Sequence, residues 1–171
     1  MTNVVAEPLG LLEREHKASQ HIVIDAPLGR VFAVVGGFYT LTDWHPLCDP
    51  PVDGVVSANT GSTIRRRNIV PSFSDEVIVE ELVELSTNPN NSYYTYEYLQ
   101  GPFPNKGYRS TIRCIPTNAG MSTIVQWVAV WDTLDKEAVD GGADGVNGFF
   151  ATGLAEAKKL IENETNEGYA N

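Results

Sequence analysis

An α+β domain, an antiparallel sheet folded onto one long C-terminal helix, is the fold class that this 171-residue sequence predicts. Three observations predict it. Runs of alternating apolar and polar residues recur from Ser19 to Asp132, interrupted near the start by a short helical pattern. The linkers SANTG, VPSFS, STNPNN, QGPFPNK and PTNAG are short and rich in Gly, Pro, Asn and Ser. Parallel neighbours need crossovers of a dozen or more residues, so strands joined this briefly run antiparallel. From Asp135 the period changes to that of a helix, and a sheet with one apolar face needs such a partner.

Residues 1–18 read as an N-terminal extension. LGLLEREHKAS offers an amphipathic helix through Leu9, Leu12 and His16, or equally a loose tail. SQHIVIDAP is a strand ending near Ala26, with Asp25 placed to cap the next helix and Pro27 suited to its first turn. That helix is LGRVFAVVGGF, apolar at Val31, Phe32, Val34 and Val35 and stopped by Gly36-Gly37. A second short helix covers Leu41 to Trp44 before Pro46.

Six strands follow: VDGVV, GSTIRRRNIV, SDEVIVEELVEL, SYYTYEYL, GYRSTIRCI and STIVQWVAVWD. The final helix runs from Asp135 to about Glu164, with Phe150, Leu154, Ala157 and Ile161 on one stripe; the glycines from Gly141 to Gly148 fray or delay its start. The domain therefore spans 19–164, and 165–171 form a tail.

The formal net charge of −10 argues against nucleic acid and against an anionic membrane surface, both of which need clustered Lys and Arg. Hydrophobic content of 42% and charged content of 20% are those of a globular chain. Cys48 and Cys114 have no metal or redox spacing and read as free thiols. With no signal-peptide pattern and no apolar run of about 18 residues, a cytoplasmic protein is expected.

Phosphate loops, GxSxG, HExxH and zinc spacings are absent from the sequence. Asp43, His45, Asp49 and Asp53 cluster, but carboxylates in a Pro-rich loop are usually solvated, so no metal is expected.

The order of elements, with DAPLGRVFAVVGGFYTLTDWHP, GSTIRRRN, YTYEYLQGPFPNKGYRSTIRC and GFFATGLAEAKKLIE, resembles the polyketide cyclase/dehydrase branch of the START-like (SRPBCC) superfamily. That superfamily includes the birch pollen allergens and the plant abscisic acid receptors. The resemblance covers about His21 to Ile161. It implies a helix-grip fold: a seven-stranded curved antiparallel sheet around the C-terminal helix, two short helices after the first strand, and a deep pocket between. It also implies that Ile69 to Ser74 and Gln100 to Lys106 lie over the pocket mouth. The gate and latch motifs of the hormone receptors are missing, which argues against a receptor role.

Alternation selects the residues that face inward. Tyr94, Tyr96 and Tyr98 share one face, and Tyr108 falls with Ser110, Ile112 and Cys114 opposite Arg109 and Arg113. Trp127 shares a face with Ala129 and Trp131, but the opposite set is nearly as apolar, and the inward choice leans on the resemblance. The composition of the third of these strands turns Glu80 outward, since Val77, Val79 and Val83 make the more apolar face. The resemblance turns Glu80 inward, and likewise Arg65 and Arg67, with Arg66 outside.

These residues make up the candidate site. His45 either anchors the WHP turn or serves as the acid or base, with Glu80 as its orienting partner. Arg65 or Arg67 either pairs with Glu80 or holds a ligand oxygen. Tyr96 orients. Trp44, Arg67, Tyr94, Tyr98, Tyr108, Trp127, Phe149 and Phe150 are candidate ligand contacts, some of them simply core.

The function this implies is binding of a small hydrophobic or aromatic, polyketide-like molecule, with cofactor-free cyclase or dehydratase acid–base chemistry. The alternatives are a non-catalytic carrier or sensor, and an interaction module with a filled core. A homodimer is compatible with the sequence.

Overall fold

A computed structural model describes residues 14–49, 65–133 and 142–167. Its seven-stranded antiparallel sheet has the order β1-β7-β6-β5-β4-β3-β2. The strands are β1 (His16–Ile24), β2 (Cys48–Asp49), β3 (Arg66–Pro71), β4 (Ile78–Asn88), β5 (Asn91–Gln100), β6 (Asn105–Thr117) and β7 (Ser122–Thr133). The helices are α1 (Leu28–Val35), α2 (Leu41–Trp44) and α3 (Ala143–Glu167), with a 3-10 turn over Phe38–Thr40. From β3 to β7 each strand pairs with the next, as the short turn-rich linkers require. Among the described residues no helix is long and apolar enough to cross a membrane.

α3 is held by the stripe read from the sequence. Phe150, Leu154, Ala157 and Ile161 are all essentially buried. Each of the large side chains among them is worth roughly 1.5–3 kcal/mol when withdrawn from water. Phe150 stacks on Trp127 of β7, with ring centroids 4.2 Å apart and planes 12° apart. Trp127 therefore faces the helix, and Trp131, Tyr94, Tyr96 and Ile112 are buried in the same core.

Several details depart from expectation. β1 begins at His16, so Lys17 and Ala18 pair with β7 rather than belonging to a helix or tail. Asp25 does not cap α1, whose N-cap is Pro27. The Asp25 carboxylate instead accepts from Ser122 Oγ, and its backbone N–H donates to Glu162 Oε1 on α3. β2 escaped the sequence reading because two residues carry no alternation. The expected strand VDGVV, the start of GSTIRRRNIV, Asp53, Leu9, Leu12 and the first helical turns from Asp135 lie outside the described residues. Cys48 and Cys114 are buried free thiols, and burial pushes each up to about 12.

Candidate functional site

Between the concave face of the sheet and α3 lies a cavity of about 590 Å³. Sites for small organic molecules span roughly 300–1,000 Å³. The sheet contributes Ile69, Ile78, Glu80, Tyr96 and Tyr108 to its wall, and α3 contributes Val146, Phe149 and Phe150. Leu41 and Leu47 close one side. Phe73 and Phe103 stand on the loops after β3 and β5, with ring centroids 6.0 Å apart, and they line the cavity while staying exposed. The hydroxyl of Tyr98 anchors the second loop: it accepts from the Phe103 backbone N–H at 3.0 Å and donates to the Phe103 carbonyl at 3.3 Å.

Glu80 is the one charged side chain lining the cavity among the described residues. Its aim follows the alternation of β4, in which Ile78, Glu80 and Leu82 are all buried. Behind it, Arg67 Nε donates to Glu80 Oε2 at 2.6 Å and Arg67 Nη1 donates to the Phe38 carbonyl at 2.6 Å. The guanidinium lies over the rings of Phe38 and Tyr96, at 4.4 and 4.8 Å from their centroids. Burial pushes the Glu80 carboxyl up, and Arg67 works against that rise. Burial also disfavours the Arg67 charge, but Glu80, with help from Tyr94 and Tyr96, more than offsets it and the arginine is more firmly protonated than usual. A buried carboxylate without that cation would be very costly.

His45 has a different neighbourhood. Its Nδ1 accepts from the Leu47 backbone N–H at 3.2 Å, which leaves Nε2 as the protonated nitrogen, 3.0 Å from the Phe149 carbonyl. The imidazole also stacks on Phe149, with centroids 3.9 Å apart. Burial lowers its pKa from 6.5 to about 4, against the opposing pull of the Phe149 carbonyl. Gly153 makes room for it: a Cβ there would overlap the imidazole edge. His45 thus fastens the loop after α2 to α3, and both of its nitrogens are occupied.

Among the residues singled out from sequence, Glu80, Tyr96, Tyr98, Tyr108, Phe149 and Phe150 line the cavity. His45, Trp44, Arg67, Tyr94 and Trp127 are buried around it without lining it. Arg65 is exposed just ahead of β3, so the expectation that it faces inward with Arg67 is corrected. Of the two readings of His45, the geometry is that of the turn anchor and not of the dyad: His45 bonds only to backbone, and Glu80 bonds to Arg67. The orientation of Glu80 follows the resemblance and not the composition of its strand. Tyr96 OH accepts from Trp127 Nε1 at 3.1 Å, as does Ser110 Oγ at 3.0 Å, so the tyrosine is positioned from behind. Val146, Phe73 and Phe103 were not singled out. The two phenylalanines were readable, because each sits in a Ser- or Pro-rich loop where no core claims it.

A family model described as polyketide cyclase/dehydrase and lipid transport matches residues 15–162. Among solved structures, an uncharacterised protein from Bacillus thuringiensis is 24% identical with a TM-score of 0.68, over 85% of this chain and 98% of that one. The di-domain ARO/CYC BexL from the BE-7585A biosynthetic pathway is 16% identical with a TM-score of 0.65, over 88% of this chain and 48% of its own. A START superfamily protein from Mycobacterium smegmatis is 14% identical with a TM-score of 0.56, over 89% of this chain and 98% of that one. These structures share the helix-grip fold. No curated protein sequence matches this chain.

Proposed function

The chain belongs to the polyketide cyclase/dehydrase and lipid transport family, and from that premise we propose that it binds a small hydrophobic, aromatic or polyketide-like molecule in the cavity between sheet and α3. One observation carries the reading: a largely apolar space of about 590 Å³ in which Glu80 is the one charged group among the described lining residues. Such a space folds a flexible ligand by shape, and orientation alone supplies a large part of a ring-closing rate. Glu80, held by Arg67, is the group that accepts a proton from the bound ligand, and Tyr96 and Tyr108 flank it with hydroxyl-bearing rings. The chemistry is then cyclase- or dehydratase-like, uses no cofactor and takes place in the cytoplasm.

A second reading, a carrier that binds without reacting, is favoured by the engagement of both His45 nitrogens, which removes one proton-transfer group from the cavity. Native mass spectrometry of freshly purified protein tests the binding reading. A retained small molecule, released on denaturation, is expected; an empty protein that also takes up no aromatic compound overturns it. Incubation with a linear poly-β-ketone thioester separates the two readings. An enzyme yields a cyclised product that Glu80→Gln no longer makes, whereas a carrier returns the thioester unchanged.

A further inference from the structure

The way Glu80 and Arg67 are layered carries a statement about which ligands fit. Arg67 is 1% exposed and does not line the cavity; Glu80 does. The carboxylate therefore stands between the guanidinium and the space, and any guest meets an acceptor oxygen rather than a cation. Oε2 is taken by Arg67, whereas Oε1 receives no hydrogen bond from any described residue. An ionised carboxylate only accepts hydrogen bonds. No second charge stands among the described lining residues; the other polar ones are Tyr96, Tyr98, Asn105, Tyr108 and Thr152, and the remainder of the wall is apolar side chains and glycine.

From this arrangement we infer that Glu80 selects for a neutral ligand with a hydroxyl donor, a phenol or enol on an otherwise apolar aromatic frame, whose O–H is donated to Glu80 Oε1. The inference rests on the cavity being the binding site. An O–H donated to a carboxylate is among the stronger hydrogen bonds, and here it would form in an apolar surrounding. A ligand ether offers nothing to an acceptor. A ligand carboxylate would face a like charge with no cation on the lining to offset it. The cavity thus discriminates in the opposite sense from one in which an arginine holds the ligand's acid group.

A matched series of naphthalene, 2-methoxynaphthalene, 2-naphthol and 2-naphthoate, titrated into the full chain by calorimetry at pH 7, tests this. The naphthol binds about tenfold more tightly than the methoxy compound, the worth of one hydrogen bond to a charged group, and 2-naphthoate binds weakest. Glu80→Gln brings the naphthol and methoxy affinities to within about threefold and relieves the penalty on 2-naphthoate. If naphthalene and its methyl ether bind but the hydroxyl adds nothing, or if 2-naphthoate binds best, the role of Glu80 is overturned while the cavity reading stands. If no member binds, both fall. Should Glu80→Gln fail to fold, the ranking in the wild-type protein decides alone.

Discussion

His45 ties two distant parts of the chain together through neutral nitrogens, and that makes its proton a stability switch. Its pKa falls from 6.5 to about 4 on folding. The unfolded chain therefore takes up the proton first as pH drops. The stabilisation is fully present above pH 6.5 and is lost as pH falls toward 4. The whole effect is about 3 kcal/mol. Urea unfolding of the wild type and His45→Gln at pH 7.5 and pH 4.5 checks this. The gap between the two proteins is expected to shrink at the lower pH; a gap independent of pH contradicts it. Gly153 belongs to the same contact. Gly153→Ala forces a methyl group against the imidazole and should cost about 1–3 kcal/mol. Gly29→Ala, in α1 with nothing near its added Cβ, should stabilise by up to about 1 kcal/mol. Thermal unfolding of the pair distinguishes crowding at His45 from a general effect of helix glycines.

Arg67 on β3 and Glu80 on β4 are directly opposite in the strand register, so this pair of elements stands or falls with the buried ion pair. Arg67→Leu leaves a carboxylate stranded in an apolar wall and should cost about 3–5 kcal/mol, most of it recovered in Arg67→Leu/Glu80→Leu. Equal losses in the single and double variants, measured by denaturant unfolding, would contradict this. The strands show how far a sequence can be read. Turn-rich linkers and alternation revealed β4 to β7 and the apolar stripe of α3. The face of Glu80 was hidden because the more apolar-looking face of its strand is the one turned to solvent. Ile78, Glu80 and Leu82 are the buried set of β4, whereas Val77 and Val83 are exposed, so counting valines picked the solvent side of the strand. The role of His45 was half legible: a WHP turn suggests an anchor, but its partner carbonyl lies 104 residues away on α3. The cavity wall was the least legible part, since Leu41, Ile69, Ile78 and Val146 have the chemistry of core residues, and only the curvature of the sheet leaves space beside them.

At the scale of the molecule, the sheet and α3 touch closely along one side, where Phe150, Leu154 and Ile161 are buried, and part at the other, where Phe73 and Phe103 line the opening. Interiors are normally filled to crystal-like density, so an apolar space this large costs stability unless a guest occupies it. Ligand binding to the folded state alone should then raise the melting temperature in a concentration-dependent way. The net charge of −10 adds a general bias against anionic guests and agrees in sign with Glu80. Binding of naphthalene to the wild type and to Val146→Trp, whose indole replaces a cavity-lining valine on α3, tests the occupied-cavity account most directly. The account predicts saturable one-to-one binding in the wild type and its loss in Val146→Trp, with the variant's melting temperature held or raised. Equal binding by both proteins, or binding by neither, would contradict it.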